Sequence, residues 1–588
     1  MKETALELAK IWANNNYFDE NDRADLNNLL SDYENNESEI TESFYQDLEF
    51  GTGGLRSVIG FGSNRMNKYN IRKATQAMCN IANKDKEQNL VSCVSYDNRR
   101  FSKEFAFEVA SVFAANGIKC FIYNDLTPTP MLSYAVRYFN AKCGVMVTAS
   151  HNPKQYNGFK AYWSDGAQVV PPEDQIIIDE YLSLKDWNQI KHMDFDIALK
   201  ENMIEFIGDN CIDSFFQITR DQVINRDMCK EHGDKVHFIY TPLHGTGYHP
   251  CERISKELGF SNFEIVQSQA VFDSEFSTIK STPNPEDPIA LELAVALMQE
   301  SNADIAYGTD PDCDRLGVVV NHKGMVHYLN GNQIAILMLD YILTQKSEKN
   351  ILPKNPLILK SIVTSPLQKT IADQFNATVI DTLTGFKWMA KKWRELEENQ
   401  TKYNFLFASE ESFGYMPHDK VRDKDAIASI AIMNEISLFN KLEGKTLIDA
   451  LDSIYERYGY AEESLIALNF EGIAGKTKIQ NIMEYFRAHK NQSIADNKIV
   501  QFSDYSTLIQ MDFIHHKENK IDMTASNVLQ FLFENGNRLF VRPSGTEPKI
   551  KFYTMVQVSD GDLNSKKEKA KEQIQFIEAF IHKIVEGL

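Results

Sequence analysis

Residues 303–320 read Ala-Asp-Ile-Ala-Tyr-Gly-Thr-Asp-Pro-Asp-Cys-Asp-Arg-Leu-Gly-Val-Val-Val. Two short apolar runs, 303–307 and 315–320, flank a loop with carboxylates at 310, 312 and 314, and both are predicted as strands. Pro311 cannot sit inside a helix. Helical geometry would scatter alternate carboxylates, whereas a turning loop can aim them at one centre. Hard oxygen ligands of this kind suit Mg2+, which needs few protein ligands when a phosphate supplies another. The end of an apolar strand is the usual place for a site in an α/β domain. Alone, the spacing also describes a solvated acidic turn; the flanking strands, with Gly308 and Gly317, weigh against that. A calcium EF-hand is disfavoured, because the later Glu and the flanking helices are missing.

Outward from this loop the chain keeps an α/β rhythm. Upstream, strands are predicted at 89–96, 118–123 and 143–148, with helices at 103–115 and 130–140 between them. After a helical stretch near 200–218 and a polar segment at 219–235, strands follow at 236–241 and 262–267 around a helix at 249–259. Downstream, a helix at 331–344 opens a further unit with strands at 357–364, 377–381 and 404–408, and a helix spans 425–457. The last part has a helix at 476–488, strands at 536–541 and 548–558, and a charged amphipathic helix at 564–585. At the start, Ala5, Leu8, Ala9 and Trp12 fall on one helix face. Strands alternating with helices predict mixed or parallel sheets covered by helices. The expected fold is α/β: three similar mixed-sheet α/β domains and a smaller C-terminal α+β domain. The expected bounds are 1–205, 206–325, 326–460 and 461–588.

Other loops carry chemistry. Residues 147–160 read Val-Thr-Ala-Ser-His-Asn-Pro-Lys-Gln-Tyr-Asn-Gly-Phe-Lys, with Ser150 just past an apolar strand. Adjacent Ser150 and His151 do not easily make the contact of a hydrolytic triad, and no GxSxG elbow surrounds them. Ser150 as a phosphoryl carrier makes more physical sense, with Thr148, His151, Asn152 and Lys160 placed to orient or neutralise a phosphate. A turn rich in caps is the alternative. Residues 51–56, Gly-Thr-Gly-Gly-Leu-Arg, let backbone N–H groups and Arg56 approach an anion, though an ordinary turn reads the same. Residues 542–549, Arg-Pro-Ser-Gly-Thr-Glu-Pro-Lys, combine a guanidinium, two hydroxyls and a pliable backbone, which suits a second phosphate not undergoing chemistry. In Ser409-Glu410-Glu411-Ser412-Phe413-Gly414, Glu410 and Ser412 can bind sugar hydroxyls, or the pair of acids can be a solvated turn. Thr384-Gly385-Phe386-Lys387-Trp388 places one lysine among aromatics. Gly472-Ile473-Ala474-Gly475-Lys476-Thr477 echoes a nucleotide loop, but Phe470 stands where the first glycine is required. His244 and His249 are not read as metal ligands, and a structural hydrogen bond suits His244 at least as well as a place in a cleft.

Composition narrows the class. The 588 residues hold 62 Lys and Arg against 82 Asp and Glu, a formal charge of -20, which disfavours nucleic acid and anionic membranes as partners. The 43% hydrophobic and 24% charged fractions are those of a globular chain. No CxxC pair occurs among the 8 cysteines, which argues against a zinc site or a disulfide framework and for reduced thiols in the cytoplasm. No export signal is read in the first 20 residues, and no stretch approaches 18 apolar residues.

Together, Thr148-Ala149-Ser150-His151-Asn152-Pro153 and Gly308-Thr309-Asp310-Pro311-Asp312-Cys313-Asp314-Arg315 closely resemble the α-D-phosphohexomutase superfamily, which includes phosphoglucomutases and phosphomannomutases. The Ser409–Gly414 segment looks like its sugar-binding loop, and Arg542-Pro543-Ser544-Gly545-Thr546-Glu547-Pro548 like its C-terminal phosphate-binding loop. The motifs occur in the family order and, with the Gly51–Arg56 loop, span residues 51–549. Leu243-His244-Gly245-Thr246-Gly247 and Thr382–Trp388 look more like the long phosphoglucomutase/phosphopentomutase branch. One departure is Ser409, where many relatives have glycine.

The resemblance implies four domains around a central cleft and a Mg2+-dependent exchange of glucose 1-phosphate and glucose 6-phosphate. Ser150 would be the phosphoserine and, with Asp310, Asp312 and Asp314, would hold the Mg2+. Arg56, His151 and Lys160 would lie by the reacting phosphate, with Arg56 and Lys160 as candidates for proton transfer. Arg315 would support the metal loop or the sugar phosphate, and Lys387 is a further candidate for the substrate. Glu410 and Ser412 would hold sugar hydroxyls, and Arg542, Ser544, Gly545, Thr546 and Lys549 the remote phosphate. Glucose 1,6-bisphosphate or a related sugar bisphosphate would serve as intermediate and activator. Phosphomannomutase and phosphopentomutase activity, or a binding protein for phosphorylated sugars, are the alternatives. A monomer or a homodimer is expected.

Overall fold

Ile305–Thr309 and Leu316–His322 pair antiparallel with Thr309 opposite Leu316, so residues 310–315 form the connection of a hairpin. Their sheet runs Met325–Leu329, Leu316–His322, Ile305–Thr309, Phe238–Thr241, Phe263–Ile265, the last three parallel. In this computed structural model residues 2–51, 54–85, 89–470, 472–544 and 549–588 are described. They fall into two units. One comprises Met1–Asn330, Trp393–Glu398 and Ser412–Phe439; the other comprises Gly331–Lys392, Asn399–Glu411 and Asn440–Leu588.

In the first unit a seven-stranded sheet is built around Cys143–Val147, Val91–Tyr96, Lys119–Ile122 and Ile204–Phe206, which run parallel in that order. Beyond Cys143–Val147 the sheet turns antiparallel, through Tyr156–Trp163 to Gly54–Val58 and the short Phe50–Gly51. Helices Ser102–Ala115 and Lys68–Ala82 bury Phe105, Val109, Phe113, Ile71 and Met78 in this core. Three N-terminal helices, Lys2–Asn14, Glu20–Ser31 and Tyr33–Phe44, close over an aromatic cluster in which Trp12 stacks on Phe18 at 4.3 Å. Ala5, Ala9 and Trp12 are buried there and Leu8 packs against them, the face the helical spacing predicts.

In the second unit Thr378–Thr382, Pro356–Ser361 and Asn404–Glu410 lie side by side and parallel. The C-terminal part is an all-antiparallel sheet of seven strands, from Tyr460–Asn469 through Lys549–Val558, Arg538–Pro543, Leu529–Phe533, Ile499–Asp504 and Ile509–Asp512 to Lys517–Lys520. Helices Gly472–Ala488 and Leu563–Gly587 cover it, with Ile482, Phe486, Ile577 and Ile581 in its core. No helix among the described residues is long and apolar enough to cross a membrane.

Several expected elements change. The helical stretch at 200–218 contains the edge strand Ile204–Phe206, and its helix is Asp209–Arg220. The polar segment 219–235 holds a short helix, Arg226–His232. The single helix at 425–457 is two, Ala426–Leu442 and Leu447–Tyr458, because Gly444 turns left-handed at φ +73 and Thr446 with Asp449 forms a capping box that starts the second. The nucleotide-loop echo is the first turn of Gly472–Ala488. A Cβ on Gly475 would stand 2.0 Å from the Phe470 carbonyl oxygen, so that glycine serves close packing.

Candidate active site

Strand Cys143–Val147 delivers Thr148, Ala149 and Ser150 at its C-terminal end, where α/β sheets place their sites. Ser150 has φ +51 and is 4% exposed. Its amide donates to Thr148 Oγ1 at 2.8 Å. Its Oγ donates to Asp310 Oδ2 at 2.7 Å and lies 3.2 Å from His151 Nδ1. The serine loop and the acidic hairpin, 160 residues apart in the chain, thus meet at one hydroxyl.

The three aspartates are buried, and one oxygen of each lies within 4.8 Å of the others. Asp310 Oδ1 accepts the amides of Asp314 and Arg315 at 3.0 Å, which folds the loop around that carboxylate. Asp312 Oδ2 accepts from Lys160 Nζ at 2.6 Å and from Thr129 Oγ1 at 2.8 Å. Asp314 Oδ2 faces Lys160 at 3.1 Å and Lys424 at 3.0 Å. The other oxygens, Asp312 Oδ1 and Asp314 Oδ1, are buried without a hydrogen-bond partner. Outer oxygens tied to cations and inner oxygens left bare are the donor set of a hard divalent cation. Electrostatics agree. Burial, then Asp314 and Asp312, pushes Asp310 well above the usual carboxylate range. Burial opposes the charge on Asp314 too, but Lys160, Lys424 and Arg315 outweigh it and hold that carboxyl below its ordinary value. A cation between these groups would relieve the crowding of like charges.

Lys160 reaches the acids from inside the sheet. Strand Tyr156–Trp163 sets it opposite Met146 on one side and Gly54 on the other. Burial works against its charge, yet Asp312 and Asp314 raise its pKa. Arg56, two residues along the neighbouring strand from Gly54, donates to Asn152 Oδ1 at 3.0 Å. Burial and the nearby Arg315 and Arg56 guanidiniums push the His151 imidazole well below its usual value. Arg315 pairs with Glu286, and its Nε lies 4.0 Å from Asp314 Oδ1. His244 binds the Val271 carbonyl at 2.8 Å and Thr278 Oγ1 at 2.7 Å, the structural role allowed for it.

The sugar- and phosphate-loop candidates fall elsewhere in the chain. Ser412 belongs to the first unit. In the second unit, buried Glu410 accepts the Gly385 amide, which ties the 409–411 segment to the loop that carries Lys387. Lys387 is buried with its Nζ 5.1 Å from the Trp388 ring centre. Glu411 turns inward to Ser361 Oγ at 2.9 Å and Thr364 Oγ1 at 3.3 Å. Arg542 lies in strand Arg538–Pro543 opposite Lys551, and the Ser544 amide donates to the Lys549 carbonyl at 2.7 Å. Gly545 and Thr546 lie outside the described residues.

Four family models match the chain in order: phosphoglucomutase/phosphomannomutase alpha/beta/alpha domain I over residues 47–186, domain II over 216–324, domain III over 330–458, and the C-terminal domain over 495–572. The chain belongs to the phosphoglucomutase/phosphomannomutase family. A phosphoglucomutase of Staphylococcus haemolyticus is 36% identical over 520 residues, 88% of this chain and 92% of that protein. One of Staphylococcus epidermidis is 35% identical over 556 residues, 94% and 98% of the two chains. Among solved structures, the fold is shared with a Paramecium phosphoglucomutase, parafusin, in its open form. That likeness has TM-score 0.70 at 18% identity and covers 91% of this chain and 96% of that one. A Thermus thermophilus protein titled a putative phosphomannomutase gives TM-score 0.64 at 19% identity, covering 90% and 99%.

Around the cluster of Ser150 and the three aspartates stand residues that the motifs did not point to. Lys424 stands on Asp314, in the run Arg422-Asp423-Lys424-Asp425 just before an apolar helix. Four charges abutting a buried helix were the available signal. Thr129, whose amide and hydroxyl both hold Asp312, had none. Asp97 and Arg99 follow strand Val91–Tyr96 at its C-terminal end, and that position in an α/β sheet was their signal.

Proposed function

We propose that the protein interconverts glucose 1-phosphate and glucose 6-phosphate, with Ser150 carrying the phosphoryl group between the two ends of the sugar. The observation that carries this reading is the Ser150 Oγ contact to Asp310 Oδ2 at 2.7 Å, inside a buried cluster of three acids and two lysines. The phosphoglucomutases at 35–36% identity over most of the chain support glucose as the sugar.

Phosphorylated Ser150 gives its phosphoryl group to a sugar hydroxyl. The P–O bond to Oγ breaks, a P–O bond to the sugar forms, and the hydroxyl proton ends on Ser150 Oγ. His151 Nδ1, 3.2 Å from that oxygen, stands beside the proton's destination, with Lys160 and Arg56 as further donors around the transferring group. The sugar bisphosphate then presents its other phosphate to Ser150, and the reverse step releases the isomer. Asp310, Asp312 and Asp314, with Ser150, would hold Mg2+, which when bound neutralises charge on the phosphoryl oxygens. Glu410, tied to the loop that carries Lys387, is a candidate for gripping sugar hydroxyls, and so is Ser412. Arg542, Ser544, Gly545, Thr546 and Lys549 grip the phosphate that is not reacting, and Arg315 steadies the acidic loop. All eight thiols are free and buried, which supports a reducing compartment, the cytoplasm.

The test is peptide mass spectrometry after incubation with glucose 1,6-bisphosphate, alongside rates with glucose 1-phosphate and mannose 1-phosphate. Phosphate on Ser150 and faster turnover of the glucose ester are expected. Label on another residue removes the carrier assignment, and equal turnover of the mannose ester removes the preference for glucose.

A further inference from the structure

The backbone around Ser150 is held by a cation that the transfer chemistry does not use. The Arg99 side chain is wholly buried. Its Nη2 donates to the Ser150 carbonyl at 2.5 Å and to the Asn152 carbonyl at 2.6 Å. Its Nη1 donates to the carbonyls of Pro153 at 3.0 Å and Tyr156 at 3.1 Å. One guanidinium therefore collects three carbonyls of the loop that joins strand Cys143–Val147 to strand Tyr156–Trp163, and that of the second strand's first residue. The Phe276 ring lies 5.2 Å from the guanidinium carbon. Asp97 completes the bracket. Its Oδ2 lies 3.4 Å from Arg99 Nε and accepts Thr148 Oγ1 at 2.5 Å, and Thr148 Oγ1 in turn accepts the Ser150 amide at 2.8 Å. Burial lowers the Arg99 pKa only to about 10, so the group stays charged at neutral pH.

The geometry has a purpose that simple loop stability does not require. Ser150 sits at φ +51, a left-handed conformation that a serine adopts only when its surroundings impose it. Here the imposition comes from both sides of the residue, through its amide by way of Thr148 and Asp97, and through its carbonyl by way of Arg99. Fixing both peptide groups fixes where Oγ points. We propose that Arg99, backed by Asp97, is the positioning residue that holds Ser150 in its left-handed conformation and so aims Oγ at the phosphoryl-transfer site. The inference rests on Ser150 being the phosphoryl carrier.

Lysine cannot replace this arginine in kind, because an ammonium is a compact donor without the fork that reaches four acceptors. R99K is expected to fold and to bind sugar phosphate, since Arg99 faces the backbone of the loop. Its kcat should fall about 10- to 100-fold, the cost of misplacing a reacting group by a fraction of an ångström to an ångström, with the KM for glucose 1-phosphate moved less than about twofold. Labelling of Ser150 by glucose 1,6-bisphosphate should slow by the same factor as kcat. A purely structural role would lower the melting temperature and the active fraction while leaving the labelling rate per folded molecule unchanged. If R99K does not fold, D97N decides on the same split between kcat and KM, because it keeps the shape and removes the countercharge. Wild-type kcat and labelling rate in the folded variant overturn the proposal. Failure of wild-type protein to label at Ser150 overturns the carrier reading instead, so the two failures are told apart.

Discussion

Among the described residues no aspartate is hydrogen-bonded to His151 as a hydrolytic triad would need; Ser150 Oγ instead donates to Asp310 at 2.7 Å, one of three clustered buried carboxylates. Replacing Ser150 with Ala leaves no atom to carry phosphate. Turnover should drop more than about 1,000-fold, as for removal of other covalent nucleophiles, and no phosphopeptide should form. Turnover within tenfold of wild type would sink the assignment. Lys424 makes a subtler case. It holds the outer oxygen of Asp314 at 3.0 Å and so leaves Oδ1 turned inward. Removing an outer-shell partner of a metal ligand typically costs about 10- to 100-fold in metal affinity. Lys424→Met should therefore raise the Mg2+ concentration for half-maximal rate by about that factor, read from a Mg2+ titration; an unchanged half-point would mean that Lys160 alone orients Asp314. Neither Lys424 nor Arg99 was singled out as a site residue in the sequence, because the signal each carries is not specific. A charged letter does not tell whether its side chain is solvated or buried against a carboxylate, and only the tertiary partner decides. Ser150 and the three aspartates were legible because their own neighbours, a strand end and a proline-kinked acidic loop, already restrict what they can do.

Strands were readable where burial on both faces makes the run continuously apolar, as in Cys143–Val147 and Ile305–Thr309. Tyr156–Trp163 was not read as a strand, although six of its eight residues are buried. Its Asn157, Gly158 and Lys160 break the apolar run because each answers to a tertiary partner. A Cβ on Gly158 would stand 2.4 Å from the Thr148 carbonyl oxygen, and Lys160 must reach the acids. The C-terminal strands Leu529–Phe533 and Ile499–Asp504 are short and interrupted by polar Gln530, Gln501 and Ser503, so their signal is weak. Strand Tyr460–Asn469 brings its own titratable group. Glu463 is placed with Oε1 buried and without a partner, near Ser365, Asn332, Glu462 and Lys360. Burial raises its pKa from 4.5 to about 7, against the pull of Ser365, Asn332 and Lys360. The folded state then binds the proton more tightly than the unfolded chain. The stability from this group is fully present below pH 4.5, is lost as pH rises towards about 7, and stays lost above it. After allowance for partial exposure the loss is about 2 to 3 kcal/mol. Glu463→Gln should abolish that slope, so that urea unfolding at pH 8 gains about that much over wild type while unfolding at pH 4.5 changes little. A variant equally stabilised at both pH values would show that the carboxyl is not titrating in this window.

At the scale of the molecule, the proposed Mg2+ ligands are segregated. Ser150, Asp310, Asp312 and Asp314, their outer partners Thr129, Lys160 and Lys424, and the Asp97–Arg99 bracket all belong to the first unit. Lys424 reaches it by chain return, because Ser412–Phe439 packs with Met1–Asn330 although the residues around it in sequence build the second unit. The tie is extensive within that unit: Tyr162 donates to Asp423 Oδ2 at 2.7 Å, Glu435 accepts the Ile224 amide at 2.9 Å, and Asn434 donates to Ser255 Oγ at 3.0 Å. A ligand that binds only the native arrangement of one unit stabilises that unit by mass action, by about 2.7 kcal/mol at a hundredfold excess over its dissociation constant. Mg2+ alone should therefore raise hydrogen-exchange protection most at residues 143–163 and 305–322 and in the helix Ala426–Leu442. The antiparallel strands of 499–558, which hold no ligand, should gain far less, because their opening does not release the ion. The contrast should vanish in Asp312→Ala, which removes one inward oxygen and the anchor of Lys160. Equal gains across both units, or a gain that persists in that variant, would place the Mg2+-dependent stabilisation outside the acidic hairpin and take the metal role from the three aspartates.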